Sequence, residues 1–128
     1  MNKIIHLRKI TANIPAQLLK FLFPDTLTPQ QINFVYASEA DLLNVALFGV
    51  TAKQWRDANP EQKGNMRDHA NVHQLVCLAN MESMNAHFIE EGLPQFERLI
   101  KLNELAIRQM RILIRSNAVI HPGLDNTT

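Results

Sequence analysis

Apolar residues recur along this chain at three- and four-residue steps, in blocks separated by prolines, glycines and capping residues. That period predicts helices, and no block alternates as a half-buried strand would. A first helix is expected over residues 15–23, with Asn13 near its start, Pro15 in its first turn and Pro24 as its stop. Thr28-Pro29 is a cap followed by proline at the first helical position, opening a helix expected to carry Ile32, Val35 and Tyr36 on one face. Ser38 caps a stretch with Glu39 and Asp41 in its first turn, where the helix dipole favours carboxylates. Leu42, Val45, Ala46 and Phe48 follow, and Gly49 closes it. Residues 29–48 thus read as one helix or two. Thr51 caps a helix over residues 52–58 holding Trp55, and Asn59-Pro60 ends it. Residues 60–70 form a polar loop with Met66 as its apolar anchor.

Two long helices dominate the second half. Asn71 with Gln74 has the spacing of a capping box, predicting a helix over residues 71–91 closed by Gly92. Pro94 opens the last helix, over residues 94–115. The joint between them is short, so the pair should be antiparallel neighbours. In the last helix Glu97, Lys101, Glu104, Arg108, Arg111 and Arg115 share one face. Phe96, Leu99, Ile100, Asn103, Ala106, Met110 and Leu113 fall on the other. Glu97–Lys101 and Glu104–Arg108 have the favourable order for intrahelical pairs. In the helix over 71–91, Val72, Leu75, Ala79, Ala86 and Ile89 form an apolar stripe. Glu82 falls on it and Asn85 beside it, which predicts both as structural buried polar residues. A buried carboxylate requires a partner, and Arg56, Arg67 or the helix start near Thr51 is the expected one. The fold class that follows is all-α: a bundle of five or six helices built on the antiparallel pair. The organisation is a basic arm (1–13), a single helical domain (14–115) and a flexible tail (116–128).

Composition narrows the functional classes. The chain has 128 residues, 46% of them apolar and 20% charged, with net charge +1. That is globular rather than disordered, and too neutral to argue for nucleic acid from global charge. Cys77 is the lone cysteine, which excludes an intrachain disulfide and suits a cytoplasmic protein. Its apolar neighbours Val76 and Leu78 favour an inert buried thiol over a reactive one paired with His73. No apolar run is long enough to cross a membrane, and residues 1–10 lack the apolar core of a secretory signal.

Candidate chemistry is sparse. His69 and His73 are four apart, but the cap at Asn71 falls between them and no cysteine pair or HExxH accompanies them, so no metal site and no cofactor is expected. The serines have no GxSxG context. The richest surface candidate is the stretch holding Lys53, Trp55, Arg56, Lys63 and Arg67, where indole and guanidinium groups suit stacking and phosphate contact. Asp57, Glu61 and Asp68 oppose those cations. Arg108 and Arg111, with Arg115, form a second candidate ridge for a partner, although cations near a helix C-terminus also suit its dipole.

Three stretches, LTPQQINFVYASEADLLNVALFG, TAKQWRDANPEQKGNMRD and NMESMNAHFIEEGLPQFERLIKLNELAIRQM, give the chain a likeness to a known family. From about Leu27 to Ile114 it resembles the C-terminal accessory region of KilA-N-domain proteins, DNA-binding proteins of phages and mobile elements. In that family a KilA-N domain precedes this region and contacts DNA. Only about thirteen residues precede the first predicted helix here, so the resemblance implies the accessory domain without the KilA-N domain. It brings no catalytic or binding residue with it. The expected function is therefore a non-enzymatic interaction domain, binding a protein partner or forming a homo-oligomer. The alternative is direct nucleic-acid binding through the Lys53–Arg67 region.

Overall fold

The computed structural model describes residue 21, the backbone of residues 23–120 and the side chains of residues 23–115. Five α-helices and one 3-10 turn account for the regular structure of the described residues: α1 Pro29–Asn33, α2 Glu39–Phe48, α3 Ala52–Ala58, the 3-10 turn Met66–His69, α4 Val72–Glu90 and α5 Gln95–Ile120. The all-α bundle expected from the periodicity is the observed fold. The basic arm and nearly all of the helix expected over 15–23 lie outside the described residues, as do residues 121–128.

The caps explain where the helices start. Thr28, Thr51, Asn65 and Asn71 each accept the backbone N–H three residues on. Each also receives the side chain of that residue (Gln31, Gln54, Asp68 and Gln74) at its own N–H. These reciprocal bonds satisfy donors a helix start would otherwise leave orphaned. Ser38 caps α2 alone. Gly49 follows α2 at φ +78°, a left-handed conformation natural to glycine.

The stretch 29–48 is two helices. Only α1's five residues are helical before Phe34 turns extended, so Ile32, Val35 and Tyr36 do not share a helical face. Val35 stands in solvent, while the Tyr36 side chain is buried and its hydroxyl donates to Gln31 O at 2.7 Å. Gln95 then holds Tyr36 at both ends, accepting its N–H at 2.8 Å and donating to its carbonyl at 2.9 Å.

Helix α2 is the centre of the molecule. Every residue from Leu42 to Phe48 is buried, so the helix is enclosed on all sides and apolar there except for Asn44. It packs on α5 and α4, which form the expected antiparallel pair. Two side-chain rungs fix the register of that pair: Asn85 with Arg98 at 2.9 Å and Asn80 with Gln109 at 3.0 Å. Helix α5 continues to Ile120, five residues beyond the end expected at Arg115, so residues 116–120 are helical rather than part of a tail. The charged face of α5 is solvated as expected, but neither Glu97–Lys101 nor Glu104–Arg108 closes into a salt bridge.

Helix α4 is rotated relative to its expected orientation. Its buried residues are Gln74, Cys77, Leu78, Met81 and Asn85. The stripe of Val72, Leu75, Ala79, Ala86 and Ile89 is exposed, and so is Glu82. Glu82 is therefore not a buried carboxylate. It meets Arg67, a partner expected from the sequence, in a solvent-facing pair at 3.4 Å, of a kind that adds at most ~1 kcal/mol.

The buried charge is Arg98. Its guanidinium donates to both oxygens of Glu39 at the start of α2, to Asn85 Oδ1 on α4 at 2.9 Å, and to Leu93 O in the α4–α5 joint at 3.0 Å. Asn85 completes the triangle by donating to Glu39 Oε1 at 2.8 Å. The Arg98 hydrogen bond lowers the Glu39 pKa below its ordinary 4.5 against the opposing effect of desolvation. A carboxyl shifted this way adds stability that is complete above pH 4.5 and lost as pH falls through its lower folded value. The Glu39 side chain is 48% exposed and that of Arg98 10%, so the two are not equivalent. Removing Glu39 strands a buried cation, whereas removing Arg98 leaves a carboxylate that water reaches. Glu39→Ala should cost about 2 kcal/mol and Arg98→Met about half of that. Urea midpoints followed from about pH 6 to about pH 3 should fall less steeply in Glu39→Gln than in the native chain. Equal losses in Glu39→Ala and Arg98→Met would contradict this assignment.

Candidate interaction surfaces

The region from α3 to the 3-10 turn is built as a packed corner. Trp55 is 8% exposed and belongs to the core cluster, with the His69 ring 5.1 Å from it. The indole offers no face for stacking on a base, which removes Trp55 from the contact residues expected from the sequence. Lys53 pairs with Asp57 at 2.9 Å on the surface. Besides Glu82, Arg67 donates to Asn44 Oδ1 at 3.1 Å and Ala40 O at 3.3 Å, bracing the turn against α2. Arg56 and Lys63 are exposed and form no salt bridge among the described residues. The expected cluster is thus divided: two free cations, two engaged ones and a core indole.

The loop carrying Lys63 has a stereochemical pin. Gly64 sits at φ +79°, and a Cβ there would fall 2.5 Å from Asp68 Oδ2, the oxygen that accepts the Asn65 N–H at 2.8 Å. Gly49 has a similar φ but open space around it. Gly49→Ala should therefore cost only the backbone penalty of about 1 kcal/mol. Gly64→Ala should cost clearly more, because the capping box must also shift. Thermal melts of the two variants compare them directly.

The candidate nucleophile and metal ligands are placed as follows. Cys77 is fully buried beside Met81, with its Sγ 3.8 Å from the Met81 Sδ, and burial pushes its thiol up to about 11. Such a thiol is overwhelmingly protonated near neutral pH, which leaves little thiolate to react. Ellman's reagent at about pH 8 should not label the folded chain and should label it fully in denaturant. Rapid labelling under native conditions would refute the burial. His69 Nε2 is 2.7 Å from Lys63 O. No group of three or more His, Cys, Asp or Glu among the described residues is arranged to hold a metal ion.

What the structure does present is apolar surface. On α4, Val72 is 65% exposed, Leu75 45% and Val76 42%. The Asn80–Gln109 rung places Val76, one turn earlier, beside exposed Ile112, one turn later on α5. These four residues form one patch at the end of the bundle where α4 begins. At the other end, around the Tyr36–Gln95 link, Phe34, Val35 and Phe96 are also exposed. Arg108, Arg111 and Arg115 are exposed along α5 and flank Ile112. Sequence reading missed both patches. The α4 stripe is visible in it but reads as core. Asn85 is buried as the sequence predicts, but nothing in the sequence marks Gln74 as turning inward with it in place of the stripe.

No helix of the described residues is long and apolar enough to cross a membrane. No family model, curated protein or solved structure matches this chain.

Proposed function

We propose that this protein is a non-enzymatic helical interaction module that engages a protein partner, a second copy included, through the outward face of α4. The observation that carries this reading is the cluster of Val72, Leu75 and Val76 with Ile112, large apolar side chains left in solvent on two rigid helices. Isolated exposed apolar residues are ordinary, but a contiguous group of them marks interaction surfaces. The sequence resemblance to the accessory region of KilA-N-family DNA-binding proteins supports the same role, an assembly element beside a DNA-contacting domain. The buried, protonated Cys77 fits a reducing cytoplasmic setting. Direct nucleic-acid contact through Lys53–Arg67 draws less support, because Trp55 is buried and Lys53 and Arg67 are already paired.

The test separates surface from core. Leu75→Lys and Val76→Lys should leave thermal stability within about 0.5 kcal/mol of the native chain, as substitutions on a solvated surface do. The same variants should lose association measured by sedimentation equilibrium over a concentration range. A loss of 2 kcal/mol or more on folding would sink the reading, because it would make this face internal packing.

A further inference from the structure

Val72, Leu75, Ala79, Glu82, Ala86 and Ile89 recur along α4 at alternating steps of three and four, and all six are exposed. That is the spacing of the seam between two helices of a coiled coil. The seam runs on the side of α4 away from buried Cys77 and Met81. Its ends are seventeen residues apart, about 25 Å at 1.5 Å per residue. Glu82 does not interrupt it. Its carboxylate turns aside to Arg67 at 3.4 Å, and Arg67 is itself bonded to Asn44 and Ala40 on the α2 side.

The order of residues along the seam says what covers it. Reversed and laid on itself, it sets Val72 against Ile89, Leu75 against Ala86 and Ala79 against Glu82, twice over. Apolar residues meet at both ends, and a large side chain meets a small one at each step between, which is how facing helices interdigitate. Laid parallel, the seam would instead set each Glu82 against its own copy, a like-charge contact, and each alanine against an alanine. The charges agree with the reversed order. Glu90 lies two heptads beyond Val76, hence on the same α5 side of the seam, and forms no salt bridge among the described residues. Reversal brings it level with Asn71 of the second copy, at the N-terminal end of α4, where the helix dipole favours a carboxylate. Arg115, exposed one turn past Ile112 on α5 and also without a salt bridge, stands at that end. Glu91 is paired with His87 at 2.7 Å and Lys101 lies 5.9 Å from the Phe88 ring, so the charge match belongs to Glu90 and Arg115.

We infer that two copies of this chain pair through α4, packed antiparallel about a two-fold axis level with the turn between Ala79 and Glu82. Such an interface is isologous, each residue meeting on the partner the residue that meets it, so association closes at two copies. Val76 and Ile112 flank the seam on its α5 side in each copy. The pairing rests on the use of the α4 face proposed above and adds its occupant and its register.

Sedimentation equilibrium and disulfide trapping test it on the full chain. Over a concentration range the native chain should approach the mass of two copies and no more, and Leu75→Lys should stay single. Val72→Cys and Ile89→Cys chains, mixed in equal amounts and oxidised with copper–phenanthroline, should form a cross-linked pair, because the seam sets the two positions opposite each other, within the short reach of a disulfide. Neither variant should cross-link alone, since its two new thiols lie about 25 Å apart in the antiparallel pair. The native chain, which carries only buried Cys77, is the control. Val72→Cys that cross-links to itself shows a parallel seam and overturns the inference. So does a native chain that stays single at every concentration, which leaves the α4 face to a different protein. A dimer lost in Leu75→Lys but giving no cross-link between positions 72 and 89 overturns the inference and retains the α4 reading. A dimer that survives Leu75→Lys overturns both.

Discussion

The buried guanidinium of Arg98 is the constraint around which this bundle is arranged. A cation at that depth is tolerated only with its donors satisfied and its charge opposed. Glu39 supplies the charge from α2, Asn85 an acceptor from α4, and Leu93 a carbonyl from the joint that precedes α5. Each acceptor comes from a different element, so the position of one helix end fixes those of the other two. A purely apolar contact at this point would tolerate sliding, whereas a fork of N–H groups aimed at three partners does not. The antiparallel register of α4 and α5 follows from this anchor, with Asn80–Gln109 as its repeat further along the pair.

The same rule extends to the buried amides. Gln74 accepts the N–H of Asn71, the cap of α4, and donates to Phe21 O at 2.6 Å. Asn103 donates to Asp25 O and Ala46 O, and Asn44 joins Asp41 to Arg67. No buried side-chain nitrogen or oxygen of the described residues lacks a partner. Most of these bonds reach backbone or side chains in other elements, so they specify how the segments between helices lie on the bundle. Asp41 extends the pattern by accepting the Ala52 N–H at 2.9 Å, which ties the start of α3 to α2.

Local signals were legible in the sequence because they depend on neighbours along the chain. Thr28-Pro29, Ser38, Thr51 and Asn71 mark helix starts through residues three positions away, and Gly49 marks an end through its own backbone freedom. Met66 reads as an anchor because its surroundings offer no other apolar residue. The orientation of α4 was not legible, because it depends on residues distant in sequence. Hydrophobicity alone favours turning Val72, Leu75 and Ile89 inward. That preference loses to Gln74 and Asn85, whose partners Phe21, Glu39 and Arg98 lie 53, 46 and 13 residues away. Trp55 was placed on a surface for the converse reason, since an indole beside cations has the composition of a contact site whether or not its ring is covered.

The reversal on α4 links the core to the proposed role. Once the inward face of the helix is occupied by Gln74, Asn85, Leu78 and the Cys77–Met81 pair, its remaining apolar residues have no internal partner, and water is in contact with Val72, Leu75 and Val76. A valine or leucine fully removed from water is worth about 1.5–3 kcal/mol, so leaving several exposed forgoes stability that an ordinary polar surface would not demand. The residues beside them show that a polar surface was compatible with this helix, since Asn80, Glu82, Ser83 and Glu90 are exposed on it too. Met84 and Ile89 are exposed further along α4, but only in the first two turns do three large apolar side chains stand together, next to Ile112. Localised exposure on two helices held in fixed register by Arg98 has the rigidity and the apolar centre that a docking surface requires.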